Sequence, residues 1–110
     1  MQPQIVFITA GTSQEAETIA RALVGERLAA CANVVPAVTS IYRWEGKVQR
    51  DPEVLLIVKS TDANMPALIQ RVKELHSYQV PEIIALPIAG GSPEYLVWIL
   101  EACDVQMNKT

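Results

Sequence analysis

At 110 residues the chain is close to the commonest domain size, which predicts one domain over residues 1–110 with one core. Hydrophobic residues make up 50% and charged residues 19%, which excludes disorder on composition, and a net charge of −3 excludes the dense cationic stripe of a nucleic-acid binder. No apolar run approaches the roughly 20 residues that cross a bilayer.

The opening Met1-Gln2-Pro3-Gln4 has no basic segment leading into an apolar one, so no secretory signal is expected and the cytoplasm is the expected location. Ile5-Val6-Phe7-Ile8 predicts a strand that ends in the turn Thr9-Ala10-Gly11. Thr12-Ser13-Gln14-Glu15 has the spacing of a capping box, and Ala16, Ile19, Ala20, Leu23 and Val24 recur at helical spacing, predicting a helix to about Leu28. An extended region then runs from Cys31 to Lys59, with Gly46 where a hairpin turn needs a glycine. Pro36 and Asp51-Pro52 interrupt its two arms and mark bulges or sheet edges, because proline donates nothing to a ladder. Val54 to Val58 is the most strand-like stretch of all.

Thr61 or Asn64 can cap a second helix whose apolar stripe is Met65, Leu68, Ile69, Val72 and Leu75, ending near His76. Glu82 to Leu86 reads as a fourth strand. Ser92-Pro93-Glu94 starts a final helix that runs to about Cys103. The order is βαββαβ plus a helix, an α+β ferredoxin-like sandwich with a long β-hairpin and a C-terminal helix.

In such a sandwich the helices cover one sheet face and the other is normally polar. Here Ile5–Ile8, Val54–Val58 and Ile83–Leu86 are apolar on both faces. A large side chain left in water forfeits about 1.5–3 kcal/mol, and half a dozen forfeit on the order of 10 kcal/mol, comparable to a domain's whole stability. The second face is therefore expected to be covered by further copies of the chain, with the hairpin as a pairing arm.

Four segments resemble the CutA family of divalent-cation-tolerance proteins: Glu26-Arg27-Leu28-Ala29-Ala30-Cys31-Ala32-Asn33-Val34, Ser40-Ile41-Tyr42-Arg43-Trp44-Glu45-Gly46-Lys47, His76-Ser77-Tyr78-Gln79-Val80-Pro81-Glu82-Ile83 and Tyr95-Leu96-x-Trp98-Ile99. The resemblance spans essentially the whole chain. It implies a homotrimer with sheets packed around the threefold axis, association with tolerance to copper and other divalent cations, and no established catalytic activity. It also implies a role in anchoring a membrane enzyme for animal relatives, which carry an extra N-terminal segment. Gln79 departs from the acidic residue found there in many relatives, which weakens any ligand role at that position.

His76 is the only histidine and suits Cu²⁺ or Zn²⁺, whereas Cys31 suits Cu⁺, and Glu82 could join either. Each has a plainer explanation: a histidine at a helix C-terminus meets the dipole, and a cysteine among alanines packs as a small hydrophobe. Cys103 reads as a buried free thiol. One histidine cannot close a four-ligand zinc site, so no metal is expected to be required for folding.

Tyr42, Trp44, Lys59, Tyr78, Glu82 and Trp98 combine aromatic and charged groups in the manner of a small-molecule cleft, here expected between subunits; the same residue types also build interface cores. The ferredoxin-like fold hosts many functions, and three are excluded at the site. Thr9–Ser13 has no Cys-x-x-Cys pair for a soft-metal chaperone. Arg21 falls too late for an acylphosphatase cradle, and Val54–Val58 lacks the aromatics of an RNA-recognition sheet. No activated nucleophile or acid–base pair is visible, so an enzyme is not expected. Two readings follow: a trimeric divalent-metal (copper) or small-ligand binding module, and a PII-like signalling trimer that binds a nucleotide between subunits.

Overall fold

β1 (Pro3–Ala10) forms where the continuous apolar run Ile5–Ile8 leaves no helical stripe to bury, and its register explains the core. The computed structural model describes residues 1–104; the end of the expected 1–110 domain, residues 105–110, lies outside the described residues. The remaining elements are α1 (Ser13–Gly25), β2 (Cys31–Trp44), β3 (Lys47–Thr61), a 3₁₀ turn (Asp62–Asn64), α2 (Met65–Leu75), β4 (Ile83–Pro87) and α3 (Pro93–Ala102). The four strands make one antiparallel sheet in the order β2-β3-β1-β4, as expected of a split βαββαβ unit.

Residues that face each other across an antiparallel pair share a sheet face. Val6, Ile8 and Ala10 stand opposite Val58, Leu56 and Val54. All six are buried against Ala16, Ile19, Ala20 and Leu23 of α1 and Leu68 and Val72 of α2. The intervening residues Ile5, Phe7, Leu55 and Ile57 face the other way and are only partly covered. On β4 the same face carries Ile84 and Leu86, each 53% exposed. α3 builds a separate small cluster from Ile99 with Ala30 and Cys103, packed by Ile88 and Leu96. A single chain thus leaves an apolar strip of sheet open, as the two-sided apolar strands predicted.

β3 pairs with β1 only from Val54 onward, whereas its pairing with β2 continues to the tip, Trp44 opposite Lys47. The hairpin therefore projects beyond the body and stretches the chain to 49 × 28 × 22 Å. Its two-residue turn, Glu45-Gly46, has both residues at positive φ (50° and 79°), the geometry that matches strand twist. The prolines sit where expected. Pro36 lies in a register break between Val35 and Val38, with Ala37 left-handed at φ 65°, and Pro52 lies in the part of β3 that has lost β1 as a neighbour.

Three local expectations need correction. α1 stops at Gly25 instead of reaching Leu28, because Arg27 turns left-handed (φ 61°) and the N–H groups of Leu28 and Ala29 fold back onto the Leu23 carbonyl. The capping box is half made: Thr12 Oγ1 accepts from Glu15 N at 3.1 Å, but the Glu15 carboxylate reaches Ser77 instead of the cap. Neither Thr61 nor Asn64 caps α2 with its side chain. The Asn64 amide donates to the carbonyls of Arg27 and Cys103, tying the end of α1 to α3. The Thr61 hydroxyl is buried with no partner among the described residues.

Candidate functional site

A cleft of about 550 Å³ opens where the hairpin leaves the body. One wall is the hairpin, with Tyr42 and Trp44 from β2 and Glu53 from β3; the other is the segment between α2 and β4, with Tyr78, Val80 and Glu82; Thr9 at the end of β1 closes the base. Glu53 and Asp51 alternate along β3 on the face that carries Leu55, so the open sheet face turns acidic just as it passes from body to arm.

Hydrogen bonds fix the aromatic walls. The Tyr78 hydroxyl donates to Glu53 Oε2 at 2.7 Å, and the Tyr42 hydroxyl donates to Asp51 Oδ2. Partial burial, then the bond to Glu53, pushes the Tyr78 phenol well above the ordinary tyrosine range. The Tyr42 phenol is also raised, mainly by its bond to Asp51. Gly11 lies against this wall: a Cβ there would stand 3.3 Å from the Tyr78 hydroxyl, which would have to give by a few tenths of an ångström.

His76 lies beneath the cleft with no exposed side-chain surface. The backbone N–H of Tyr78 donates to Nδ1 at 3.0 Å, which assigns the proton to Nε2, and Nε2 donates to the Thr9 carbonyl at 2.7 Å. Both ring nitrogens are engaged, so a metal at either must displace a hydrogen bond. The imidazole links the end of β1 to the segment that carries Tyr78, and Glu15 of α1 adds bonds to the N–H and hydroxyl of Ser77.

Of the expected constellation, Tyr42, Trp44, Tyr78 and Glu82 converge on the cleft, and Lys59 and Trp98 do not. Lys59 stands opposite Ile5 and Cys31, whereas the cleft base at Thr9 is four residues further along β1, or about 13 Å. There the Lys59 ammonium donates to Asn33 Oδ1 and lies 4.0 Å from Cys31 Sγ. Trp98 packs on Tyr95 of α3, ring centroids 5.4 Å apart. Glu53, Asp51, Glu15 and Thr9 are not among the site residues expected from sequence, where Glu15 carries only a capping role, Thr9 a turn and Asp51 an interruption of the hairpin arm. The one available signal was the i, i+2 pair of carboxylates flanking Pro52, which becomes meaningful only once the hairpin register is known.

The implied metal donors do not gather within one chain. Cys31 belongs to the Lys59 end of the sheet, Glu82 lines the cleft, and His76 is sealed below it. Among the described residues no three His, Cys, Asp or Glu side chains stand close enough to share an ion.

Connectivity, strand order and the projecting hairpin place the chain among α+β proteins built on a split βαββαβ sheet. It belongs to the CutA1 divalent ion tolerance protein family, whose model matches residues 4–102. The divalent-cation tolerance protein CutA of Thermus thermophilus is 58% identical over 98 residues, covering 89% of this chain and 95% of the relative. The solved structure of CutA from Xylella fastidiosa superposes with a TM-score of 0.91 at 40% identity, over 94% of this chain and 100% of that one. Mouse protein CutA is 44% identical over 102 residues, 93% of this chain but 58% of the mouse protein. No helix among the described residues is long and apolar enough to cross a membrane.

Proposed function

We propose that the protein serves divalent-cation tolerance as a homotrimeric binding module, with the Tyr42–Trp44–Tyr78–Glu82 cleft as its ligand site and no catalytic step. The observation that carries this reading is the strip of Ile5, Phe7, Ile57, Ile84 and Leu86 left open beside the cleft. An exposed strip of that size is what a second copy covers. In a trimer it would bring the hairpin of one copy toward the body of the next and place the cleft near a subunit boundary.

Copper uptake in this proposal rests on Cys31 and Glu82, which carry accessible donor atoms and can converge only from different copies. His76 contributes by shaping the wall. Residence in the cytoplasm fits two free cysteines, Cys103 buried and Cys31 partly so. A nucleotide in the cleft is disfavoured, because among the described residues its lining offers carboxylates and phenols and no lysine, arginine or histidine.

Sedimentation of the purified chain, alongside calorimetric titration of the chelator-treated protein with Cu²⁺, tests this. Three copies per particle, dissociating in Leu86→Asp, and saturable copper binding lost in Cys31→Ser are expected. A monomer at micromolar concentration would refute the assembly, and copper binding unchanged in Cys31→Ser and Glu82→Gln would refute the donor assignment.

A further inference from the structure

We infer that the cleft at the hairpin base is a site for an organic cation, an amine or quaternary ammonium compound. This rests on the reading of the cleft as the ligand site and adds the class of ligand.

The walls present three aromatic side chains, Tyr42, Trp44 and Tyr78, and the lining carboxylates are Glu53 and Glu82. Among the described residues no lysine, arginine or histidine lines the cleft. Both phenols donate to carboxylates, which turns their oxygens away from a ligand and adds to the negative potential over the rings, and the Tyr78 ring is backed by the His76 imidazole, centroids 4.6 Å apart. Glu82 makes no hydrogen bond or ion pair with the described residues, so its carboxylate is free to meet a ligand. A volume of about 550 Å³ is in the range of small-molecule sites.

Other ligand classes fit this lining less well. A hard divalent ion takes six to eight oxygens or holds most of its own water, and ring faces replace neither. An anion would meet only negative charge. A neutral apolar ligand would take water from Glu53 and Glu82 and return no partner. An ammonium ion with a carbon skeleton uses every feature at once: its diffuse charge meets the rings, and its net charge answers the carboxylates. The established use of aromatic cages for such ions follows the same physics.

The test is titration of the full-length assembled protein with tetramethylammonium and a phenylalkyl-trimethylammonium, against the neutral carbon isostere of each. Trp44 fluorescence is read in a Trp98→Phe background, and heat is read in parallel on the unsubstituted chain, so a defect in that background does not hide the result. Saturable binding of the phenylalkyl cation, at least about tenfold tighter than its neutral isostere and weakened at least about tenfold in Glu82→Gln and in Trp44→Leu, is the expected result. The particle mass should stay constant in both variants. Equal binding of the neutral isostere would overturn the cation assignment and leave the cleft as the ligand site. Absence of binding by either class would overturn both. Cation binding unchanged in Glu82→Gln and Trp44→Leu would place the ion elsewhere and overturn the assignment to this cleft.

Discussion

Replacing His76 with alanine separates a latch from a metal ligand. The imidazole is fully buried, accepts from Tyr78 N–H at 3.0 Å and donates to the Thr9 carbonyl at 2.7 Å. Removing it strands two backbone groups and leaves a void between β1 and the cleft wall. A stranded buried group costs about 1–3 kcal/mol; because the Tyr78 amide is near the surface, the two together come to about 2–4 kcal/mol. That is a large fraction of a small domain's stability. Guanidinium denaturation at fixed protein concentration should show a lower midpoint with an unchanged slope, and the Tyr78 wall of the cleft should loosen. Copper affinity, measured on the same preparation at a temperature where the variant is folded, should change little. A loss below about 1 kcal/mol accompanied by collapse of copper binding would refute this reasoning and make His76 a ligand.

Further outcomes follow from the same geometry. Tyr42, Tyr78 and Tyr95 are all raised above the ordinary tyrosine value of about 10, Tyr95 mainly by desolvation. The folded state thus holds these protons more tightly than the unfolded chain: stability should be flat below pH 10 and fall as pH rises beyond it. Absorbance of tyrosinate near 295 nm should appear late and together with unfolding; a half-complete step at pH 10 in the folded protein would contradict it. Thr61→Val removes a buried hydroxyl that has no partner among the described residues and should stabilise by about 0.5–2 kcal/mol in thermal unfolding; destabilisation would mean the hydroxyl is satisfied. Glu45→Asn, at φ 50° in the hairpin turn, should gain about 0.5 kcal/mol, whereas Gly46→Val should lose more than about 1 kcal/mol and loosen the hairpin, as read by amide exchange of Tyr42 and Gln49.

Much of the fold was legible because it depends on local pattern. The apolar run of β1, the helical spacing of Ala16, Ile19 and Leu23 and the glycine of the hairpin each encode one element through near neighbours, and each element formed within a few residues of its expected bounds. The misses fall where distant groups compete for a local signal. Glu15 left the capping box for Ser77, 62 positions away, and Asn64 left the cap of α2 for carbonyls of Arg27 and Cys103. The signature aromatics of the site could be picked out one by one, but not sorted: Trp44 and Trp98 look alike in sequence, and one lines the cleft while the other packs on Tyr95.

By itself the sequence determined the α+β class, the order of elements, the long hairpin and the excess of apolar sheet surface, because period, turn chemistry and composition are properties of neighbouring residues. Tertiary structure alone decided that Glu53 and Asp51 join Tyr42 and Tyr78, that Lys59 and Cys31 sit about 13 Å away, and that both nitrogens of His76 are engaged. Those facts depend on strand register and on contacts between segments far apart in the chain: a shift of one residue in register would have turned Tyr42, Asp51, Glu53 and Lys59 to the opposite face, whereas His76 and Tyr78, outside the strands, are placed by their bonds to Thr9 and Glu53.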